Sequence, residues 1–412
     1  MTHKISTLAL LVAAAAGFSG AANAIEAQNI RVSDGVLFTP TLKVSERYDD
    51  NIYATKNQRK SSWITNLEPS FMLSLDRAKS AYRLKYVASR DFFHSSSRDN
   101  NTDHHLTADA GFEFNSRNRL TLNAGYHKME DTASDTSTPN SQNDKWNTKN
   151  IGGVYNFGAR TARAQAELAA NYEELRYDNS ARKANGERLN KDKERDTKSV
   201  RATGYYGIAP KTKALVEARY SDFDYKSNTN RDSNNKALLA GVTWEATAKT
   251  TGTVKVGREK KSYDKSYYSD KSMGMWEAAV AWAPRTYSTF DFKLRRGFDE
   301  GDNYYEYDSG EHVSSSIKTT AYHAGWKHQW MDRLSSNLTY SYTDRKYQGD
   351  RASQALTSDR HDKIKQYGLG VTYEMRRWLD VGLGYTRRDN DSNRATRDYK
   401  RNIYALTFNA SL

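Results

Sequence analysis

Residues 404–412 read Tyr-Ala-Leu-Thr-Phe-Asn-Ala-Ser-Leu. Tyr404, Leu406, Phe408, Ala410 and Leu412 share one parity, and Ala405, Thr407, Asn409 and Ser411 share the other. A strand sends successive side chains to opposite faces, so this stretch is a strand with one apolar and one polar face. The same period of two recurs upstream as far as Val36. It is carried by sets such as Leu379, Val381, Leu383 and Tyr385; Tyr367, Leu369, Val371 and Tyr373; and Trp276, Ala278, Val280 and Trp282. Counted along the chain, such sets predict eighteen strands over residues 36–412. The expected fold is therefore all-β, an 18-stranded antiparallel transmembrane β-barrel.

The connections support that expectation by alternating in kind. Short turns are expected at Asp76–Lys79, Asn115–Asn118, Gly158–Thr161, Ala209–Thr212, Thr247–Thr250, Ala283–Thr286, Gln329–Arg333 and Glu374–Arg377. Longer polar links are expected near 49–62, 94–103, 131–145, 178–196, 226–235, 259–271, 297–313, 345–362 and 388–398. Outer-membrane barrels keep short turns in the periplasm and long loops outside, so both termini should be periplasmic. Pro40 and Pro69 each remove a ladder hydrogen bond, and a bulge is expected near them.

Bulk composition fits a barrel better than a soluble domain. A net charge of +13 and a mean hydropathy of −0.91 would suit a solvated chain. Yet 28 Tyr, 13 Phe and 8 Trp are too many for one. In a barrel only alternate strand residues need be apolar, which reconciles the two. Residues 1–24 read as a signal peptide: Lys4, an apolar core from Leu8 to Ala16, and Ala22-Asn23-Ala24 as cleavage site. A periplasmic lead (25–35) and the barrel (36–412) would follow, placing the protein in a bacterial outer membrane. The chain has no Cys, so it holds neither a disulfide nor a thiolate metal site.

A barrel of 16 to 18 strands encloses water. The candidate lumen-lining residues are Arg83, Lys85, Asp109, Glu113, Arg163, Glu167, Arg201, Tyr205, Glu217, Arg219, Lys255, Asp291, Lys293, Arg295, Lys363 and Lys365. On the lipid face a mid-plane Arg or Lys would cost roughly 2–4 kcal/mol, so charges of both signs should face water. They form either a conduit whose charge selects the solute or ion pairs that stiffen the wall. Most aromatics, among them Trp63, Tyr126, Trp244, Trp276, Trp282, Tyr340 and Tyr373, end outward sets, where interface girdles belong.

No catalytic signature stands out. The nine His include no H-E-x-x-H pair, and no G-x-S-x-G elbow occurs, although His127 could join a site built from separate strands. The acidic stretches 48–51 and 98–103 lack EF-hand spacing. We expect no enzyme activity, no metal and no cofactor. Basic residues crowd the turns, for instance Arg117 and Arg119, Lys211 and Lys213, and Arg376 and Arg377. Such a surface suits an acidic polysaccharide or the phosphates of lipopolysaccharide, and an exported chain would not meet nucleic acid.

Residues 44–71, VSERYDDNIYATKNQRKSSWITNLEPSF, resemble the opening of the β-barrel porin 2 family. The resemblance rests on a Tyr-x-x-Asn-Ile motif (Tyr48, Asn51, Ile52) and a Trp-Ile…Pro-x-Phe stretch (Trp63, Ile64, Pro69, Phe71). It implies an outer-membrane pore of an exopolysaccharide secretion system, working with a periplasmic polysaccharide export protein that lacks its own spanning part. The alternative expectation is a porin for small solutes such as oligosaccharides.

Overall fold

Alternating residues leave the backbone of each segment free to pair on both edges, and the chain closes this ladder on itself. The computed structural model describes residues 29–131, 143–178, 190–247, 249–301, 303–306, 310–348 and 360–411. The expected signal peptide, the first residues of the lead, Leu412 and much of the 178–196 loop lie outside them.

A short strand, β1 (Ile30–Ser33), precedes β2 (Val36–Asp49), β3 (Ser62–Asp76), β4 (Ser80–Phe93), β5 (Asn101–Asn115), β6 (Asn118–Glu130) and β7 (Lys145–Phe157). There follow β8 (Ala164–Tyr177), β9 (Arg195–Ala209), β10 (Thr212–Tyr225), β11 (Ser233–Thr247), β12 (Thr250–Tyr263), β13 (Lys271–Arg285) and β14 (Ser288–Glu300). A small separate hairpin, β15 (Asn303–Glu306) and β16 (Gly310–Val313), leads to β17 (Ser316–Met331), β18 (Leu334–Gln348), β19 (His361–Arg376), β20 (Leu379–Ser392) and β21 (Tyr399–Ser411). Every neighbouring pair is antiparallel, and β2 bonds both β3 and β21, so eighteen strands form a closed barrel.

Its strands are longer than the roughly 9–11 residues a tilted spanning strand needs. They run from 13 residues in β6 to 16 in β17 and extend beyond a bilayer at the long-loop end. The apolar parity faces out. Ile151, Leu238, Leu383 and Val256 are among its most exposed members, at 59–63%. Rings pair along this face, for example Trp282–Phe290 (5.2 Å) beside the short turns and Tyr340–Tyr367 and Tyr385–Tyr404 (both 5.1 Å) farther along, near mid-strand. Amphipathic rings in two bands are the girdle arrangement.

The two prolines produce no bulge, contrary to the expectation. The β2–β3 register runs unbroken through Pro40↔Phe71 and Leu42↔Pro69. Pro40 sits where β2 changes partners on its other edge, since β1 pairs up to Phe38 and β21 begins at Thr41. The β3–β4 ladder passes from Leu67↔Arg90 to Ser70↔Val87 around Pro69. Each ring therefore lies at a place where the ladder has no bond to lose. The lead also does more than connect: β1 pairs with Val36–Phe38 and covers the stretch of β2 edge that β21 leaves open.

Candidate functional site

With the apolar parity outward, the alternate residues face the enclosed space. Arg83 and Lys85 (β4), Asp109 and Glu113 (β5), Glu167 (β8), Arg201 and Tyr205 (β9), Glu217 and Arg219 (β10), Lys255 (β12), and Asp291, Lys293 and Arg295 (β14) lie on that inner parity. Three candidates do not. Lys363 and Lys365 share the parity of Tyr367, Leu369 and Val371 and are exposed on the outer face of β19, near its long-loop end. The alternation of β19 itself turns them outward, so their assignment to the lumen went against the parity read for that strand. Arg163 lies before β8, in a turn wider than expected. There Gln165 Nε2 donates to the carbonyls of Ala159 (2.6 Å) and Arg160 (2.9 Å), holding the turn open. The Arg163 guanidinium packs over the ring of outward-facing Tyr206, 4.8 Å from its centroid, at the rim of the wall.

The inner charges are largely paired with one another. Arg201 donates to Glu167 across β8–β9 (2.9 Å). Arg219 of β10 reaches Glu277 of β13 with both guanidinium ends (2.7 Å each), and Lys255 of β12 bridges Glu277 (2.8 Å) and Glu217 (3.2 Å). Measured along the wall, β10 and β13 are about 14 Å apart at the usual strand spacing. The contact is made across the concave inner face instead, above Leu239 of β11, which is 1% exposed. Leu239 packs there with Ala237 and Met275. Glu277 was not among the sequence candidates, although the parity of Trp276, Ala278 and Val280 turns it inward.

Elsewhere on the inner wall Lys43 meets Glu68 (3.2 Å), Arg47 meets Asp91 (2.5 Å), His323 meets Asp291 (3.2 Å), and Arg295 meets Asp299 (2.5 Å). Arg83 pairs with Asp76 at the short-turn end (2.6 Å). His105 and His127 stand opposite each other on β5 and β6, their Nδ1 atoms 2.9 Å apart. His127 thus has an imidazole for a partner. Among the described residues no group of three or more His, Cys, Asp or Glu is placed to hold a metal ion.

At the long-loop end the wall overlaps itself. The β13–β14 ladder stops at Trp276↔Arg296, although β13 continues to Lys271 and β14 to Glu300. Beyond that point β14 leans inward over β12 and β13. The Phe298 N–H donates to Glu259 of β12 (2.9 Å), and Glu300 accepts from Lys261 Nζ (2.5 Å) and Tyr225 OH (2.8 Å). Arg231, in the β10–β11 loop, donates to the Gly301 carbonyl, and Tyr263 OH donates to that of Ser315 (2.9 Å). Lys261, Arg231 and Tyr225 are at most 1% exposed, and Phe298, Met273 and Met275 are buried with them. Ionic groups taken out of water hold only as complete sets, so this overlap is a latched arrangement.

The motif near the N-terminus forms a knot over the closing seam. Asn51 donates to the carbonyls of Thr55 (2.8 Å) and of Lys400 in β21 (2.9 Å), and its own carbonyl accepts from Thr55 N–H (3.1 Å). Ile52 is buried against Ile64 and Phe93, and Tyr48 lies against Trp63 (5.3 Å between centroids). Asp49 takes the guanidinium of Arg401, and Asp50 caps the backbone and side-chain amides of Asn402 (2.7 and 2.6 Å). The carboxylates of the acidic stretch 48–51 are thus occupied by the protein's own donors.

The family described as "Putative beta-barrel porin 2" matches residues 24–411. No curated protein matches the sequence. Among solved structures, the chain is similar to the ferric enterobactin receptor PfeA of Pseudomonas aeruginosa, at 9% identity and a TM-score of 0.47, covering 91% of this chain and 80% of that one. It is also similar to the siderophore receptor PirA of the same organism (11%, TM-score 0.46, 91% and 80% covered). The third is OpdO, again of Pseudomonas aeruginosa, at 12% identity and a TM-score of 0.47, covering 92% of this chain and 98% of that one.

Proposed function

The chain belongs to the β-barrel porin 2 family, and from that premise we propose that it is an outer-membrane pore passing secreted exopolysaccharide or capsular polysaccharide from the periplasm to the cell surface. The observation that carries this reading is the mutual neutralisation of the inner wall. Arg219, Lys255, Glu217 and Glu277 cancel one another, as do Arg201 and Glu167, or Lys43 and Glu68. Between them the inner parity carries small polar groups such as Thr203, Ser199, Asn171 and Thr253. A long polymer must bind weakly at many places and strongly at none, or it stalls. A wall of paired charges and hydroxyls offers many weak hydrogen bonds and little net field.

In this reading the short turns and both termini are periplasmic, and the pore is passive, with work supplied from the inner membrane. The basic short-turn rim, including Arg117, Lys211, Arg285 and Arg377, would receive an acidic face of a periplasmic polysaccharide export protein. Deleting the gene should strand polymer in the periplasm and strip it from the surface. Normal surface polysaccharide in the deletion strain would refute the proposal.

The overlap of β14 inside β12 and β13 favours a second reading, because it narrows the long-loop mouth. A narrow mouth suits a porin for small solutes such as oligosaccharides. That reading expects an uptake defect for one nutrient in the deletion strain, with polymer secretion intact.

A further inference from the structure

We propose that the outer face of β11–β14, at the upper edge of the apolar band, binds the phosphate headgroup of an outer-leaflet lipid. Lys236, Arg258, Lys260 and Arg296 are all exposed and all on the outward parity, in line with Leu238, Val256 and Phe292. Lys236 stands directly opposite Lys260, and Arg258 is the diagonal neighbour, opposite Leu238. Like charges directly opposite in a ladder repel, so two adjacent strands bearing three cations call for an anion from outside.

Little in the protein supplies one. Lys260 pairs with Asp270 (3.0 Å), but among the described residues Arg258 donates only to the hydroxyl of Ser272 (2.9 Å). Lys236 lies 5.9 Å above the ring of Tyr220, whose hydroxyl is 3.5 Å from Asp222. Arg296, opposite Trp276, has no ion pair among the described residues. Gly274 of β13 stands opposite Arg258, and an added Cβ there would meet nothing within 4 Å; Trp276, two residues on, stands opposite Arg296. Two strand spacings, about 10 Å, separate the two guanidinium-bearing strands across this open floor.

The level of the patch selects the partner. Below Lys236 the outward residues of β11 are Leu238, Ala240, Val242 and Trp244, a lipid-facing run. The cations therefore begin where hydrocarbon ends and headgroups start, with the long loops above. Guanidinium forks grip phosphate oxygens in pairs, and clustered Lys and Arg at a membrane surface each add to retention of an anionic lipid. A phosphate monoester carried on acyl chains satisfies the cations above and the apolar run below together.

The test uses the full chain, purified in detergent and exchanged into lipid nanodiscs. Native mass spectrometry would count retained molecules of a bisphosphorylated glycolipid and of the same lipid dephosphorylated. Wild type should hold the phosphorylated form, and a variant carrying Lys236→Gln, Arg258→Gln, Lys260→Gln and Arg296→Gln should hold more than about tenfold less. Should that variant fail to fold, the pair Arg258→Gln and Arg296→Gln serves, with heat-modifiable gel migration as the folding check. Because the residues face away from the lumen, single-channel conductance should be unchanged, which separates this site from the transport reading. Equal retention by variant and wild type, or equal retention of the dephosphorylated lipid, would overturn the proposal. So would displacement by millimolar inorganic phosphate, which would mark a free-anion site, or by secreted acidic polymer, which would mark a polysaccharide site.

Discussion

Asn51 shows how much one side chain can hold. It is fully buried, satisfies the 50–61 loop and bonds the backbone of β21 across the seam that closes the barrel. Asn51→Ala would leave the Lys400 and Thr55 carbonyls without that donor, at a cost of about 1–3 kcal/mol. Thermal unfolding followed by heat-modifiable migration should show a lower midpoint, while Asp34→Ala at an exposed surface pair should show none. Glu277 carries a different prediction. Glu277→Gln leaves Arg219 and Lys255 facing the lumen with one carboxylate, Glu217, between them. The reversal potential in a salt gradient should move toward anion selectivity, and an unchanged value would mean these groups lie outside the ion path. Parity made most inner residues legible in the sequence. The lumen assignment of Lys363 and Lys365 went against the parity of their own strand, which already turns them outward with Tyr367, and at Arg163 a turn is wider than its composition suggests. Partners were not legible, because no local pattern tells that Arg219 will reach over β11 and β12 to Glu277.

At the scale of elements, strand existence was readable and strand company was not. Hydrophobic alternation and turn residues located the eighteen barrel strands, whose ends fall within a few residues of the expected turns. The pairing of β1 beneath β21 and the inward lean of β14 depend on contacts distant in sequence. The lean has a mechanical consequence. Lys261 is fully buried and pairs with the mostly buried Glu300, so removing Lys261 leaves that carboxylate with the Tyr225 hydroxyl as its remaining hydrogen-bond donor. Lys261→Met alone should cost about 3–5 kcal/mol, whereas Lys261→Met with Glu300→Gln should recover part of that stability, because buried Arg231 then loses a carboxylate neighbour. A double-mutant cycle on unfolding midpoints measures the coupling, and additive effects would show that the pair does not act as a latch. With both charges gone, β14 loses its strongest hold on β12. The double variant should then open larger or more frequent conductance steps than wild type.

The whole molecule inverts the arrangement of a soluble protein. Its exposed surface holds Leu, Val, Ile and aromatic rings, while its buried groups include Asp49, Lys261, Arg231, Asp362 and Asp380. Only a lipid exterior and a wet interior make such a distribution stable, which explains how a chain of mean hydropathy −0.91 crosses a membrane. Asn51 and Ile52 help to close this wall, Asn51 through the Lys400 carbonyl of β21 and Ile52 through Ile64 and Phe93. We propose that the enclosed space is a water-filled path, narrowed at the long-loop end by β14. Single-channel recording of the purified chain in planar bilayers tests it most directly, with wild type and the Lys261→Met, Glu300→Gln variant side by side. The expected result is stepwise conductance that is small for wild type, larger for the variant, and transiently blocked by added polysaccharide. Folded, heat-modifiable protein that inserts yet carries no current in either form would contradict it.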